Sequence, residues 1–202
     1  MINRKSVRST AVAAALAALM FGAAAHATLI RDGITYTLTE TTTGSALTNQ
    51  FTLSISGING PSDTEGGRYG VQSFALGTPS HYLSAQAPSG FTTQPGGLNA
   101  NGCDGSGSFF CFLGNTTPTG PPLTSNSTLS YIFDITLTSG NFSDYNPDFK
   151  INWDGTNSNY DLVSRTLTPT VVSPPVPEPA SLFLLGTGLL ALAGLRRKRG
   201  HR

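Results

Sequence analysis

The sequence predicts an all-β fold: one antiparallel β-sandwich or jelly-roll-like domain, flanked by an N-terminal signal helix and a C-terminal transmembrane helix. Three observations predict it. Residues 28–176 hold 24 Thr, 18 Ser, 18 Gly and 11 Pro, a composition that disfavours helix, suits strands and supplies turns. Apolar residues there alternate at period two, the repeat that turns one strand face toward a core. Long apolar runs and clustered basic residues are confined to the two ends.

At the N-terminal end, Arg4, Lys5 and Arg8 precede an alanine-rich run from Ala11 to Ala25, and Ala25-His26-Ala27 is a small-x-small cleavage pattern. Residues 1–27 therefore read as a secretory signal peptide, cut by signal peptidase after Ala27 to leave Thr28 first. No Arg pair precedes the run, which favours the general export route, and no Cys follows it to take a lipid.

The exported domain spans 28–168, a length sufficient for one core. Its strand candidates are Tyr36–Leu38, Phe51–Ile55, Gln72–Leu76, Leu129–Leu137 and Phe149–Asp154, with Tyr160–Leu167 as a further one. Turn-rich clusters at Gly57–Gly67, Ser89–Gly107, Thr116–Ser127 and Gly155–Asn159 separate them, and no fixed-period repeat occurs. Cys103 and Cys111, joined by a Gly-rich segment in an exported chain, read as a disulfide closing a hairpin. A nine-residue loop makes that bond worth about 2.5 kcal/mol. A catalytic thiol is the rival reading, and it would need His81, the only histidine of the domain, as its base.

Charge narrows the function classes. The whole chain carries 12 Lys+Arg against 11 Asp+Glu, but residues 28–176 hold only Arg31, Arg68, Lys150 and Arg165 against ten acids, a net of −6. Such a body has no basic surface for a phosphate backbone, so no nucleic-acid partner is expected. One histidine excludes a multi-histidine metal site. No Gly-x-Ser-x-Gly elbow accompanies His81, so the chain is not expected to be an enzyme. A secreted hydrolase using paired carboxylates such as Glu40 and Glu65 stays open as an alternative. No cofactor is expected. The other alternative is a calcium-dependent carbohydrate-binding module using Asp144, Asp148, Asp154 and Asp161, since Ca²⁺ takes six to eight oxygens from such residues. Asn157 and Asn159 stand in the same stretch, but it lacks the EF-hand spacing, and Asp and Asn also make ordinary turns. Tyr82, Tyr145, Trp153 and Tyr160 are aromatic candidates for stacking on sugar, although alternation puts Trp153 on the core face with Phe149 and Ile151.

Residues 169–179 contain five prolines and read as a semi-rigid stalk. Residues 180–195 follow without a charge and with seven Leu and one Phe, which favour membrane insertion by about 2–5 kcal/mol before the glycines subtract. As a helix this run rises about 24 Å, and snorkelling of Arg196 and Arg197 closes the gap to a core of roughly 30 Å. The basic tail 196–202, with Arg196, Arg197, Lys198 and Arg199 as the stop, keeps its side cytoplasmic and leaves the domain outside.

Val176-Pro177-Glu178-Pro179, then an apolar span with an internal Gly-x-Gly, then an Arg-rich end resembles the PEP-CTERM sorting signal of exported bacterial proteins. The resemblance covers Val176–Arg199 and carries the recognition motif onto Pro177, Glu178 and Pro179. Two prolines hold that tripeptide extended beside the membrane, and Glu178 supplies a charge to read. The resemblance implies recognition by an exosortase, a membrane-embedded cysteine transpeptidase, in bacteria that make exopolysaccharide. It implies a surface or extracellular-matrix protein, anchored transiently by 180–195 and then placed at the cell surface or released. The role so implied is structural or adhesive, associated with exopolysaccharide and biofilm.

Overall fold

Period-two alternation leaves each strand with one apolar face, and two sheets facing each other bury both sets at once. The computed structural model describes residues 28–99, 102–114, 121–155 and 165–172. The signal peptide, sorting motif, apolar span and basic tail lie outside the described residues.

The strands are β1 (Thr28–Arg31), β2 (Ile34–Thr42), β3 (Thr48–Ile58), β4 (Arg68–Gly77), β5 (Tyr82–Gln86), β6 (Thr92–Asn99), β7 (Gly102–Leu113), β8 (Ser127–Leu137), β9 (Asp148–Gly155), β10 (Arg165–Thr166) and β11 (Thr170–Val172). No helix occurs among the described residues. One sheet runs β1-β2-β3-β8-β5, with β11 also pairing β2, and the other runs β10-β9-β4-β7-β6. Neighbours pair antiparallel, as with Leu38 opposite Leu53 and Phe51 opposite Phe133.

The inner faces interdigitate as aromatic layers. Phe51 and Phe133 stack across their strand pair with centroids 5.9 Å apart, Phe112 meets Phe133 between sheets at 5.0 Å, and Tyr36 meets Phe149 at 5.3 Å. A register shift between Val71 and Ser73 on β4 inserts a bulge, which lets Val71 and Phe74, three residues apart, both face the core. The threonines take the opposite face of the first sheet. Thr35, Thr37, Thr39 and Thr41 on β2 stand opposite Ser56, Ser54, Thr52 and Gln50 on β3, so the Thr-rich composition clothes a solvated sheet surface.

Within Ser89–Gly107, expected as turn, Ser89 and Gly90 do form a turn, but Thr92–Asn99 forms β6 and the stretch from Gly102 starts β7. Its glycines serve a hairpin that doubles back, and so the stretch carries no alternation for a sequence reading to find. Strand pairing also continues through β11 to Val172, past the domain end at 168 expected from the prolines. Short strands such as β1, β10 and β11 bury too few side chains to announce themselves by periodicity.

Candidate functional site

Cys103 and Cys111 are bonded, but the bond does not join the two arms of a hairpin. Both cysteines belong to β7, and their Cα atoms lie 5.6 Å apart, whereas eight residues of straight strand would span roughly 26 Å. β7 therefore folds back on itself. The fold falls where Pro95 pairs with Phe110 and Gly97 with Gly105, so β7 spends five residues against two on β6. Close backbone approach requires glycine here, since a side-chain carbon on Gly105 would sit 2.8 Å from the Gly97 carbonyl carbon. The doubled-back tip covers the outer face of β4. Ala75 points away from the main core, between inward Phe74 and Leu76, yet is fully buried in a second small core with Leu98 and Cys111.

The same fold places Phe109 beside a slot. Leu76 pairs with Phe149 on β9 and Phe110 on β7, and all three point inward. In the next row Gly77 pairs with Phe109, with Asp148 next along β9, and this row points outward. Gly77 has no side chain, so a gap of about 9–10 Å, two strand spacings, separates the strands carrying Phe109 and Asp148. The gap opens into a cavity of about 450 Å³ lined by Thr78, Ser80, Ser108, Phe109, Asp144 and Asp148, among others.

Its walls are pinned. The Thr78 amide and hydroxyl both donate to the Ser108 carbonyl, at 2.9 and 3.2 Å. The Tyr145 hydroxyl donates to the Gly77 carbonyl at 2.9 Å. In the β8–β9 loop the Ser143 amide donates to Asn141 Oδ1 at 2.9 Å, and Asn146 Nδ2 to the Asp144 carbonyl at 3.3 Å. The Lys150 ammonium lies 4.3 Å from the Phe109 centroid and steadies that ring. The Asp144 and Asp148 carboxylates are exposed and form no hydrogen bond or ion pair with the described residues.

The remaining candidates fall elsewhere. Asp148 and Asp154 stand at opposite ends of β9, six residues and so roughly 20 Å apart, too far to share an ion. No group of three metal-ligating side chains gathers among the described residues, and Asp161 lies outside them, as do Asn157, Asn159 and Tyr160. Tyr145 and Trp153 are buried, which removes them as stacking platforms, and Tyr82 is half-buried with its ring stacked on Phe110. His81 is a turn residue at φ 58°, whose carbonyl accepts from the Thr138 amide at 2.8 Å. Glu40 faces inward at the end of β2, where burial raises its carboxyl against the lowering effect of Asn49 Nδ2, which donates to Oε1 at 2.6 Å. Burial also drives the Tyr145 phenol well above its ordinary value, with the charges of Tyr82 and Glu40 adding to the rise.

Thr28, expected as the first mature residue, opens β1. Ala25, Ala27, Pro177, Glu178, Pro179, Arg196, Arg197, Lys198 and Arg199 lie outside the described residues. Sequence reasoning missed Gly77 and Phe109. The sign available was the Phe109-Phe110-Cys111-Phe112 run, in which only every second ring can face the core. Among known proteins, no curated sequence matches the chain. The family model of the PEP-CTERM protein-sorting motif matches residues 175–198, so the chain carries the signal of an exported, exosortase-processed protein of the cell surface or extracellular space.

Proposed function

We propose that the chain is a non-catalytic component of a bacterial extracellular matrix, its β-sandwich acting as a structural or adhesive module in contact with exopolysaccharide. Signal peptidase cuts after Ala27, residues 180–195 hold the exported domain at the membrane, and exosortase acts near Pro177-Glu178-Pro179. The sorting motif at 175–198 carries this reading. One structural feature supports it: the described residues form two antiparallel sheets closed over one apolar core, a body suited to a structural role.

Intact-mass measurement on exported wild-type chain and a Glu178→Ala variant tests the route. Wild type is expected to appear outside the cell, shortened at both ends, while the variant stays at the membrane with its C-terminal segment attached. Equal release of the two would sink the sorting role of Glu178.

A further inference from the structure

We infer that the slot over Gly77 binds a sugar unit of a neutral polysaccharide, which makes it the adhesive contact of the module. This rests on the matrix reading above and names its ligand class.

Five features lead there. The slot is a built gap: Gly77 is the one residue without a side chain in the row between Asp148 and Phe109, and the strands that carry those walls are about 9–10 Å apart, room for a single ring. One wall is apolar, the part of the half-buried Phe109 ring that Lys150 and the second small core leave uncovered, and suits the C–H groups of a sugar. Asp144 and Asp148 line the same cavity, their carboxylates are acceptors with no protein donor among the described residues, and sugar hydroxyls are donors that charged acceptors hold strongly. Ser80 and Ser108 add hydroxyls that donate or accept, and Thr78, whose proton goes to the Ser108 carbonyl, adds an acceptor. The walls need no rearrangement, because Thr78 and Ser108 are tied together and Tyr145 is tied to Gly77.

Charge selects the polysaccharide. Two carboxylates at the slot outweigh the one ammonium beside it, Lys150 over the Phe109 ring, and with a body of net −6 they repel uronate or sulfate groups, so the ligand is uncharged. The Cys103–Cys111 bond gains a purpose, since Ser108 and Phe109 lie inside the loop it closes and it thereby holds one wall of the slot.

Affinity electrophoresis of the full chain in detergent, through gels containing dextran, mannan or hydroxyethyl cellulose, with alginate as the acidic probe, tests the inference. Retardation by at least one neutral polysaccharide and none by alginate is expected. Gly77→Leu should weaken it roughly tenfold or more by filling the slot. Gly77 does not sit at positive φ, and its nearest neighbour to an added carbon is the Asp148 amide nitrogen at 3.4 Å, so the backbone accepts a side chain. The paired change Asp144→Asn and Asp148→Asn, at two exposed positions, should weaken retardation with an unchanged melting temperature, which guards against a folding failure in Gly77→Leu. Retardation by alginate alone, by no neutral probe, or equally in wild type and both variants overturns the inference. Cell fractionation separates this from the broader reading. Wild type found in the matrix fraction with the slot variants binding normally refutes the slot alone; wild type absent from that fraction refutes the matrix role itself.

Discussion

Replacing Asp63 with Ala should destabilise the domain more than any surface change, because Asp63 is the centre of a buried polar knot. Its side chain is 0% exposed and that of Arg68 is 4%. Arg68 Nε donates to Oδ2 at 3.1 Å and Nη2 to Oδ1 at 3.4 Å, while the amides of Asn59, Glu65 and Gly66 donate to the same carboxylate at 2.9, 3.2 and 3.2 Å. The guanidinium lies 4.7 Å from the Trp153 ring centroid. Removing the carboxylate takes the ion-pair acceptor from the buried Arg68 guanidinium and the hydrogen-bond acceptor from three amides, a loss of about 3–5 kcal/mol. For a domain of this size that lowers the melting temperature by on the order of 10 °C.

The carboxyl also makes stability depend on pH. Burial alone would raise Asp63, but the hydrogen bonds from Arg68, Asn59 and Gly66 and the guanidinium charge outweigh it and hold the carboxyl below its ordinary 3.8. The native state therefore binds fewer protons than the unfolded chain in that range. Its contribution is fully present above 3.8 and is lost as pH falls through the depressed value. Thermal melts followed by circular dichroism should show Asp63→Asn lacking the part of the acid-side decline that wild type shows below 3.8. Arg68→Met combined with Asp63→Leu should recover the part of the loss that belongs to the ion pair, but not the part owed to the three amides, since an apolar pair carries no desolvated charge yet offers no acceptor. A loss below about 1 kcal/mol in Asp63→Ala, the range of exposed pairs, would falsify the knot as a buried anchor. So would a double variant no better than the single one.

Two further outcomes follow from buried groups. Glu40→Gln keeps an oxygen to accept from Asn49 and removes a carboxyl that burial holds above 4.5. The native state of wild type binds the extra proton in that window, so wild-type stability falls as pH rises from 4.5 through the raised value. The variant should melt higher than wild type at about pH 7 and converge with it near pH 4; parallel curves would mean that Glu40 is solvated in solution. Replacing Cys103 and Cys111 together by Ser should cost about 2.5 kcal/mol. Hydrogen exchange should quicken at residues 97–107 while β2 and β3 stay protected, and uniform exchange would show that the tip is not a separate unit.

The two-sheet architecture was legible where strands lie in sheet centres. Phe51–Ile55, Leu129–Leu137 and Phe149–Asp154 alternate because one face meets the core and the other meets water, and each lies inside β3, β8 or β9. The cysteine bond was legible too, from two cysteines in an exported chain. Its geometry was not: spacing along a chain does not say whether a Gly-rich stretch closes a turn or lets one strand fold over a neighbour. The carboxylates illustrate the same limit. Four of them within 18 residues read as one set, but a straight strand carries Asp154 far from Asp148, and the cavity joins Asp144 and Asp148 to Phe109 from another strand.

By itself, the sequence determined the address of this protein and its class of fold, because a sorting signal is read by linear order and a sandwich by local periodicity. Only the tertiary structure decided where a ligand could sit. Asp148, Gly77 and Phe109 are distant in the chain and become neighbours through antiparallel register, and the slot exists because the middle residue of that row has no side chain.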